Sequence, residues 1–445
     1  MVAYTDKQKE EIWVKRTQEQ YPDVWRYYMD LVESEKLSRD ETLSRNFKKR
    51  QEMVLYAYNN TKFYRGFYDR HGVRPEDIKT EDDWDALPIL TKDMVREHAE
   101  EMIVESARPY AKLSTTSGST GKPLSVYVDK QYYCAPCMEW WVRGIWMQRP
   151  LGKPVGPSPI LGLNEAWIDR IRGVGRSTAE QLKEAAKRTY PMRRFWLDAQ
   201  SMTVDAMRRF MDEIGTEESV HLYGYTGGMQ NLAERILNGD VDCKFRPVTL
   251  AVAASVLTKS MRQTMNSAFG THVHDLYGCN EIGRMATEGA DGDGSLYVFE
   301  NVRHLDLITE DGDSIHDERE GRVVMTSLNT RVMPFIKYKL GDRTHFIGDG
   351  GGANGLPFQR VAGIGGREDD YLVCRDGSCI YGPSAAFDDC PECALSYRFV
   401  EHSPGVVTLC VVPNVVYPRY KEAIENIRST WEKMPEERLR LMLSL

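Results

Sequence analysis

Apolar and polar positions along the first 80 residues read as largely helical. Across residues 50–68, Met53, Leu55, Tyr56, Tyr58, Phe63 and Tyr64 recur among polar neighbours, compatible with a packed helical face. Leu87-Pro88-Ile89-Leu90-Thr91-Lys92-Asp93 reads as a turn entering a helix, with Thr91 as its cap and Met94 and Arg96 inside it. Ser125-Val126-Tyr127-Val128 reads as a strand, which gives the glycine-rich stretch before it a hairpin setting. Residues 132–146, rich in Trp, Tyr and Met, read as a helix, and the proline-rich residues 150–159 as a loop.

From residue 160 to 275 the period alternates. Strand-like runs at 159–163, 220–225 and 247–254 are separated by helix-like stretches at 203–214, 229–237 and 258–269. Such alternation predicts an α/β architecture, in which sites gather beyond the carboxyl ends of strands. Tyr225, Ala254 and the loop after His274 then become pocket positions. Residues 288–325 change character, with short strands such as Leu296-Tyr297-Val298-Phe299 set between Asp/Gly turns. Those turns lack the full spacing of a calcium loop and read as hairpin connections. Further on, 406–412 reads as a strand, 419–433 as a helix and 438–445 as a strand.

The chain has 445 residues, more than one hydrophobic core usually serves, so two or three domains are expected. Hydrophobic residues at 41% and charged residues at 28% are ordinary for a globular protein. A net charge of -8 argues against a nucleic-acid partner while leaving room for a local basic pocket. The first residues lack the apolar core of a secretory signal, and no run approaches the roughly 20 apolar residues of a membrane span. A cytoplasmic enzyme with no membrane partner is the expectation. The pairs Cys134/Cys137 and Cys390/Cys393 are far apart, and neither has a histidine at ligand spacing. They read as ordinary thiols rather than a zinc site.

Candidate chemistry concentrates in Ser114-Thr115-Thr116-Ser117-Gly118-Ser119-Thr120-Gly121-Lys122-Pro123. Glycines permit tight turns whose backbone N–H groups can cradle an anion. Hydroxyls add donors and Lys122 adds positive charge, a surface suited to a triphosphate. The spacing is not that of a Walker A loop, and on composition alone a polar surface turn is the competing reading.

Three later motifs shift that balance: Asp275-Leu276-Tyr277-Gly278-Cys279-Asn280-Glu281-Ile282-Gly283, Tyr338-Lys339-Leu340-Gly341-Asp342-Arg343 and Gly365-Gly366-Arg367-Glu368-Asp369-Asp370. With the glycine-rich loop, in this order and at these separations, they resemble the acyl-adenylate-forming superfamily, most closely its phenylacetate–CoA ligase branch. Leu87, Pro88 and Lys92 resemble that branch too, and the resemblance covers most of residues 50–385. It implies an α/β fold: a large multi-sheet N-terminal adenylation domain over 1–368 and a small mobile α+β C-terminal domain over 369–445. The larger domain would include the helical residues 1–80 and a β-rich subdomain at about 288–365.

The resemblance also implies roles. Thr115, Thr116, Ser117, Gly118, Ser119, Thr120, Gly121 and Lys122 would hold the ATP β- and γ-phosphates. Tyr277 would lie against adenine, with Ala253, Ala254, Ser255 and Gly278 around the adenylate. Asn280 stands where the family usually has threonine or serine, near the α-phosphate and the carboxylate. Glu281 would help bind Mg²⁺, Asp342 would accept from the ribose hydroxyls, Arg367 would reach ribose or phosphate, and Asp369 would be the hinge. Trp140, Trp141, Tyr225, Gly227 and Gly228 are acyl-pocket candidates. The implied activity is ATP-dependent activation of a small organic carboxylic acid, aromatic by analogy, as acyl-AMP with pyrophosphate release, followed by transfer to CoA. The alternatives are an amide synthetase, transfer to a carrier-protein thiol, and a catalytically weakened adenylate-binding regulator or scaffold. A homodimer is compatible with the resemblance.

The chemistry is coherent in itself. A carboxylate is a poor acyl donor, and joining it to ATP brings two anions together. Phosphate-loop donors and Mg²⁺ offset that repulsion. Asp342 is negative and suits hydroxyl partners rather than phosphates. Cys279 sits inside the second motif, but no histidine is placed by motif to activate it as a nucleophile. Three departures from the family stand out. Ser255 replaces an acid beside adenine. Residues 288–298 lack the branch's metal-binding Cys and His, so no structural metal is expected. No residue matches the catalytic lysine of the C-terminal domain, since Lys421 and Lys433 read as helix-surface residues.

Overall fold

The structure is a computed structural model, and it describes residues 5–116, 124–129, 133–138, 160–163, 195–197, 202–289, 292–348, 355–364, 371–375, 379–381, 393–415, 417–432 and 440–444. The chain divides into two compact units. The larger draws on residues 1–255, 265–340 and 344–363, the smaller on 256–264, 341–343 and 364–445.

The larger unit opens with helices α1 (Asp6–Gln20), α2 (Pro22–Ser34), α3 (Arg39–Asn60), α4 (Lys62–Arg70), α5 (Glu81–Asp85) and α6 (Lys92–Met102). Local chemistry sets their starts. Thr5, Ser38 and Thr80 form capping boxes with Gln8, Glu41 and Asp83, and Pro22 begins α2. Thr91 caps α6 as expected, its Oγ1 accepting from the Met94 N–H at 3.3 Å. On α2, Val24, Tyr28 and Leu31 fall on one face, and they share a core cluster with Ala251, Ala253, Leu276, Tyr297, Phe299 and Phe358. The packed face expected in residues 50–68 is present with one change. Met53, Val54, Ala57, Phe63 and Tyr64 are buried, while Leu55 is 48% exposed. Two residues on from Met53, Leu55 is rotated about 200° around the helix and turns outward.

Strands β1 (Ala111–Thr116) and β2 (Leu124–Asp129) form an antiparallel hairpin with Thr116 opposite Leu124. Next come β3 (Ile160–Leu163), β4 (Trp196–Leu197), α7 (Val204–Ile214), β5 (His221–Tyr225), α8 (Thr226–Leu237), β6 (Thr249–Ala253), α9 (Lys259–Phe269), β7 (Val273–Cys279), β8 (Gly283–Glu288) and β9 (Leu296–Val298). After them come β10 (Arg303–Ile308), β11 (Ser314–Ile315), β12 (Gly321–Ser327), β13 (Tyr338–Thr344) and β14 (Arg360–Val361).

The central sheet has the order β14-β9-β8-β7-β6-β5-β3-β4. From β4 to β7 neighbours run parallel, and from β7 to β14 they alternate. Every residue of β6 is buried, as a strand covered on both faces requires. The parallel run puts the carboxyl ends of β5, β6 and β7 on one edge, bringing Tyr225, Ala253 and Cys279 to the same side. The β-rich stretch read from the sequence is shared between two sheets. β9 and β14 extend the central sheet, while β10 to β13 form a four-stranded sheet of order β11-β10-β12-β13.

In the smaller unit, β15 (Tyr371–Val373) pairs with β16 (Cys379–Tyr381). β17 (Ala394–Ser403), β18 (Val406–Pro413) and β19 (Arg440–Ser444) form a second sheet, with β19 parallel to β18. Parallel neighbours need a crossover, and α10 (Tyr420–Glu432) supplies it. Leu372, Cys374, Cys393, Val407, Leu409, Val411, Ile424 and Ile427 form its core.

Within the larger unit, Arg303 ties the central sheet to the four-stranded one. Its side chain is fully buried and donates to the carbonyls of Ile282 (2.9 Å), Arg284 (3.0 Å) and Val302 (2.7 Å), and to Asn329 and Ser327. Burial lowers its pKa to about 10, so the guanidinium is charged at neutral pH. Arg303→Met strips donors from three carbonyls, and the expected loss is about 3 kcal/mol of stability. Urea denaturation checks this; a loss below about 1 kcal/mol contradicts it.

Candidate active site

The β7–β8 hairpin builds the centre of the site. Gly278 must be glycine for lack of space, since a Cβ there would lie 2.5 Å from the Gly283 carbonyl oxygen. Gly283 must be glycine for its backbone, with φ of +88°. The register shifts between Tyr277 and Gly278, so the hairpin closes tightly around Asn280, Glu281 and Ile282. Ile282 N–H donates to Cys279 Sγ at 3.4 Å, which gives that cysteine a structural part in the turn.

Two side-chain contacts hold the turn against other motifs. Asn280 Nδ2 donates to Ser114 Oγ at 3.0 Å, joining the turn to β1 at the start of the glycine-rich stretch. Glu281 is only 8% exposed despite its place at a hairpin tip, and its Oε1 accepts from the Tyr338 hydroxyl at 3.0 Å. Tyr338 is itself fully buried. Burial, and next the Glu281 carboxylate, push its phenol far above the ordinary tyrosine range. The backbone around Tyr338 is clamped in turn. Leu90 N–H donates to Lys337 O, and Lys339 N–H donates to Leu90 O, each at 2.9 Å. The segment from Leu87 to Lys92, the β1 hairpin, the Glu281 turn and the head of β13 are therefore physically joined.

Beyond β6, Ala254 adopts a φ of +81°, a left-handed backbone that costs a non-glycine residue about 1–2 kcal/mol. The Thr226 hydroxyl lies 3.2 Å from Ala253 O and 3.1 Å from Ser255 O, bracketing that kink. Ala253 is buried and Ser255 exposed. Tyr277, nearly buried, lies one strand over. At the end of β5, Tyr225 is half-buried, and open space surrounds the position a Cβ would take at Gly227. Gly228 follows in α8, half-buried. Asp342 lies half-buried on β13.

Not every expected residue can be placed. Ser117, Gly118, Ser119, Thr120, Gly121, Lys122, Trp140, Trp141, Arg367 and Asp369 lie outside the described residues, as do the side chains of Thr115 and Thr116. The structure adds residues the motifs did not assign. Tyr338 opens a motif but carried no role, Thr226 adjoins the pocket candidate Tyr225, and Ser114 begins the glycine-rich stretch. Their roles depend on tertiary partners 27 to 166 residues away.

A buried carboxylate at the carboxyl edge of a sheet, one residue from the Asn280 contact to β1, offers a hard oxygen of the kind a divalent cation takes. Among the described residues, Glu281 has one carboxylate oxygen engaged by a neutral donor, and a carboxylate oxygen is the ligand type that Mg²⁺ takes. Among the same residues no helix is long and apolar enough to cross a membrane.

No protein-family profile matches the chain. The phenylacetate-coenzyme A ligase of Aromatoleum evansii is 24% identical over 352 residues, covering 78% of this chain and 75% of that protein. Protein CapK of Staphylococcus aureus is 22% identical over 335 residues, covering 73% and 68%. A solved 2-hydroxyisobutyryl-CoA ligase, in its postadenylation state with an acyl-AMP, superposes with a TM-score of 0.69 at 16% identity, over 90% of this chain and 85% of that one. The fold is that of the adenylate-forming ligases. In sequence the chain matches the phenylacetate–CoA ligase-like branch of the acyl-adenylate-forming superfamily, as the motifs led one to expect.

Tyr338→Phe tests the contact at the centre of the site. At neutral pH it removes a hydrogen bond to a buried carboxylate, worth about 1.5–3 kcal/mol. The folded phenol stays neutral where the unfolded one ionises, above pH about 10. Its contribution is complete below that pH and is lost as pH rises beyond it. Wild type is therefore expected to lose about 1 kcal/mol more than the variant between pH 10 and 11. Urea denaturation across that range reads the difference, and parallel losses would contradict the assignment.

Proposed function

We propose that this protein activates an organic carboxylic acid with ATP, forming acyl-AMP and pyrophosphate, and then transfers the acyl group to CoA. The observation that carries this reading is the Glu281 turn. A buried carboxylate is held by Tyr338 and linked through Asn280 to the strand that enters the phosphate loop.

In the first step a substrate carboxylate oxygen forms a bond to the α-phosphorus of ATP, and the bond from that phosphorus to the pyrophosphate oxygen breaks. Mg²⁺, when bound, neutralises charge on the phosphates. Glu281 would hold that cation, while Lys122 and the loop hydroxyls and N–H groups would bind the β- and γ-phosphates. Tyr277, Ala254 and Ser255 flank adenine, with Asp342 accepting from the ribose hydroxyls and Arg367 reaching ribose or phosphate. In the second step the CoA sulfur attacks the acyl carbonyl carbon, the bond to the AMP oxygen breaks, and the thiol proton passes to solvent. The acyl group is of the aromatic or arylacetic class, with Tyr225, Gly227 and Gly228 as its pocket candidates.

The test is pyrophosphate release by the full-length protein across aromatic, arylacetic and short aliphatic acids, followed by mass analysis with CoA, amines or a carrier protein. The expected result is acid-dependent pyrophosphate and AMP together with a CoA thioester. Amide without thioester would move the acceptor to an amine, and nucleotide binding with no acid-dependent pyrophosphate would overturn the catalytic reading.

A further inference from the structure

The opposite end of the β7–β8 hairpin carries a second cluster that the reaction does not use. His272 and His274 bracket the start of β7, and Glu288 ends β8. Antiparallel pairing sets Leu276 opposite Thr287, which brings Glu288 alongside this end of β7. One ligand atom from each of the three side chains lies within 4.8 Å of the others. His272 Nε2 is 3.0 Å from Glu288 Oε1, and the imidazoles meet edge to face with centroids 4.9 Å apart.

We propose that His272, His274 and Glu288 form a structural site for a zinc-class divalent metal ion. Two imidazole nitrogens and one carboxylate oxygen are a donor set that zinc favours, whereas magnesium and calcium prefer oxygen alone. Bonds of about 2.0–2.1 Å place tetrahedral donors roughly 3.3 Å apart, so small side-chain rotations close the observed spacing.

The surroundings aim the ligands. Glu288 is fully buried, and the N–H groups of Asp275 (3.0 Å to Oε2) and Gly294 (3.1 Å to Oε1) orient its carboxylate. His274 is 5% exposed, while the His272 side chain at 31% leaves a solvent path for the ion and for a fourth ligand such as water. The backbone at Gly292 passes close to the His272 ring, where a Cβ would stand 3.0 Å from its Cε1. The sequence argued against a metal because residues 288–298 contain neither Cys nor His. Here two ligands come from before the Glu281 turn, and only Glu288 comes from after it.

Location gives the role. His274 and Cys279 are five residues apart on one strand, about 16 Å, so the ion would clip the base of the hairpin whose tip carries Glu281. It would stabilise the β7–β8 pair without touching the reacting groups.

The test measures metal content and melting temperature of the full-length protein after chelation and after zinc addition, with cobalt(II) as a spectroscopic probe. The expected result is one zinc per chain, a higher melting temperature with zinc, and a cobalt spectrum lacking thiolate charge-transfer bands. His272→Ala, at the most exposed ligand, is expected to fold with an unchanged circular dichroism spectrum, lower zinc occupancy at least tenfold and abolish the thermal shift. Glu281→Gln is expected to keep its zinc, so the outcome stands apart from the fate of the ligase reading. Absence of stoichiometric zinc and of any shift in wild type would overturn the proposal. So would thiolate bands, or zinc binding unchanged in His272→Ala.

Discussion

The site depends on keeping a carboxylate buried at the tip of a hairpin. Burying an unpartnered charge is costly, and a neutral donor meets Glu281. Tyr338 supplies that donor, and its phenol is suited to the task because the same burial keeps it protonated. The bond joins residues 57 positions apart and fixes where the second and third motifs sit relative to each other. Asn280 extends the same logic to β1, and Leu90 clamps the backbone on either side of Tyr338.

Sheet topology then gives this turn its neighbours. Because β5, β6 and β7 run parallel, with α8 and α9 in the crossovers between them, Tyr225, Ala254 and Glu281 emerge on one edge. The change of direction at β8 makes the Glu281 turn a hairpin rather than a crossover. That hairpin is tight enough to require Gly278 and Gly283, and Arg303 secures the carbonyls on both sides of Gly283. Thr226 brackets the left-handed Ala254 in a comparable way. Backbone geometry at the site is thus imposed by buried side chains from elsewhere in the chain.

Much of this was legible in order of residues alone. Periodicity located α7 and β2, whose burial follows 3.6- and 2-residue spacing, while an unbroken apolar run located β6, a strand buried throughout. Motif order led to the fold. Leu55 was misplaced because several apolar residues in α3 compete for one face and only packing decides among them. The Tyr338–Glu281 and Asn280–Ser114 contacts were not legible, since each needs the sheet order before its partners become neighbours. The cluster of His272, His274 and Glu288 was hidden for the same reason. Its members are close only through the antiparallel register of β7 and β8.

The most direct test of the central claim is a double-mutant cycle on Glu281→Gln and Tyr338→Phe, read as acid-dependent pyrophosphate release by folded full-length protein. If Glu281 holds the cation and Tyr338 acts through Glu281, Glu281→Gln lowers the rate roughly 10²- to 10³-fold, and Tyr338→Phe adds little in that background. Near wild-type release from Glu281→Gln, or losses that multiply independently, would contradict the account.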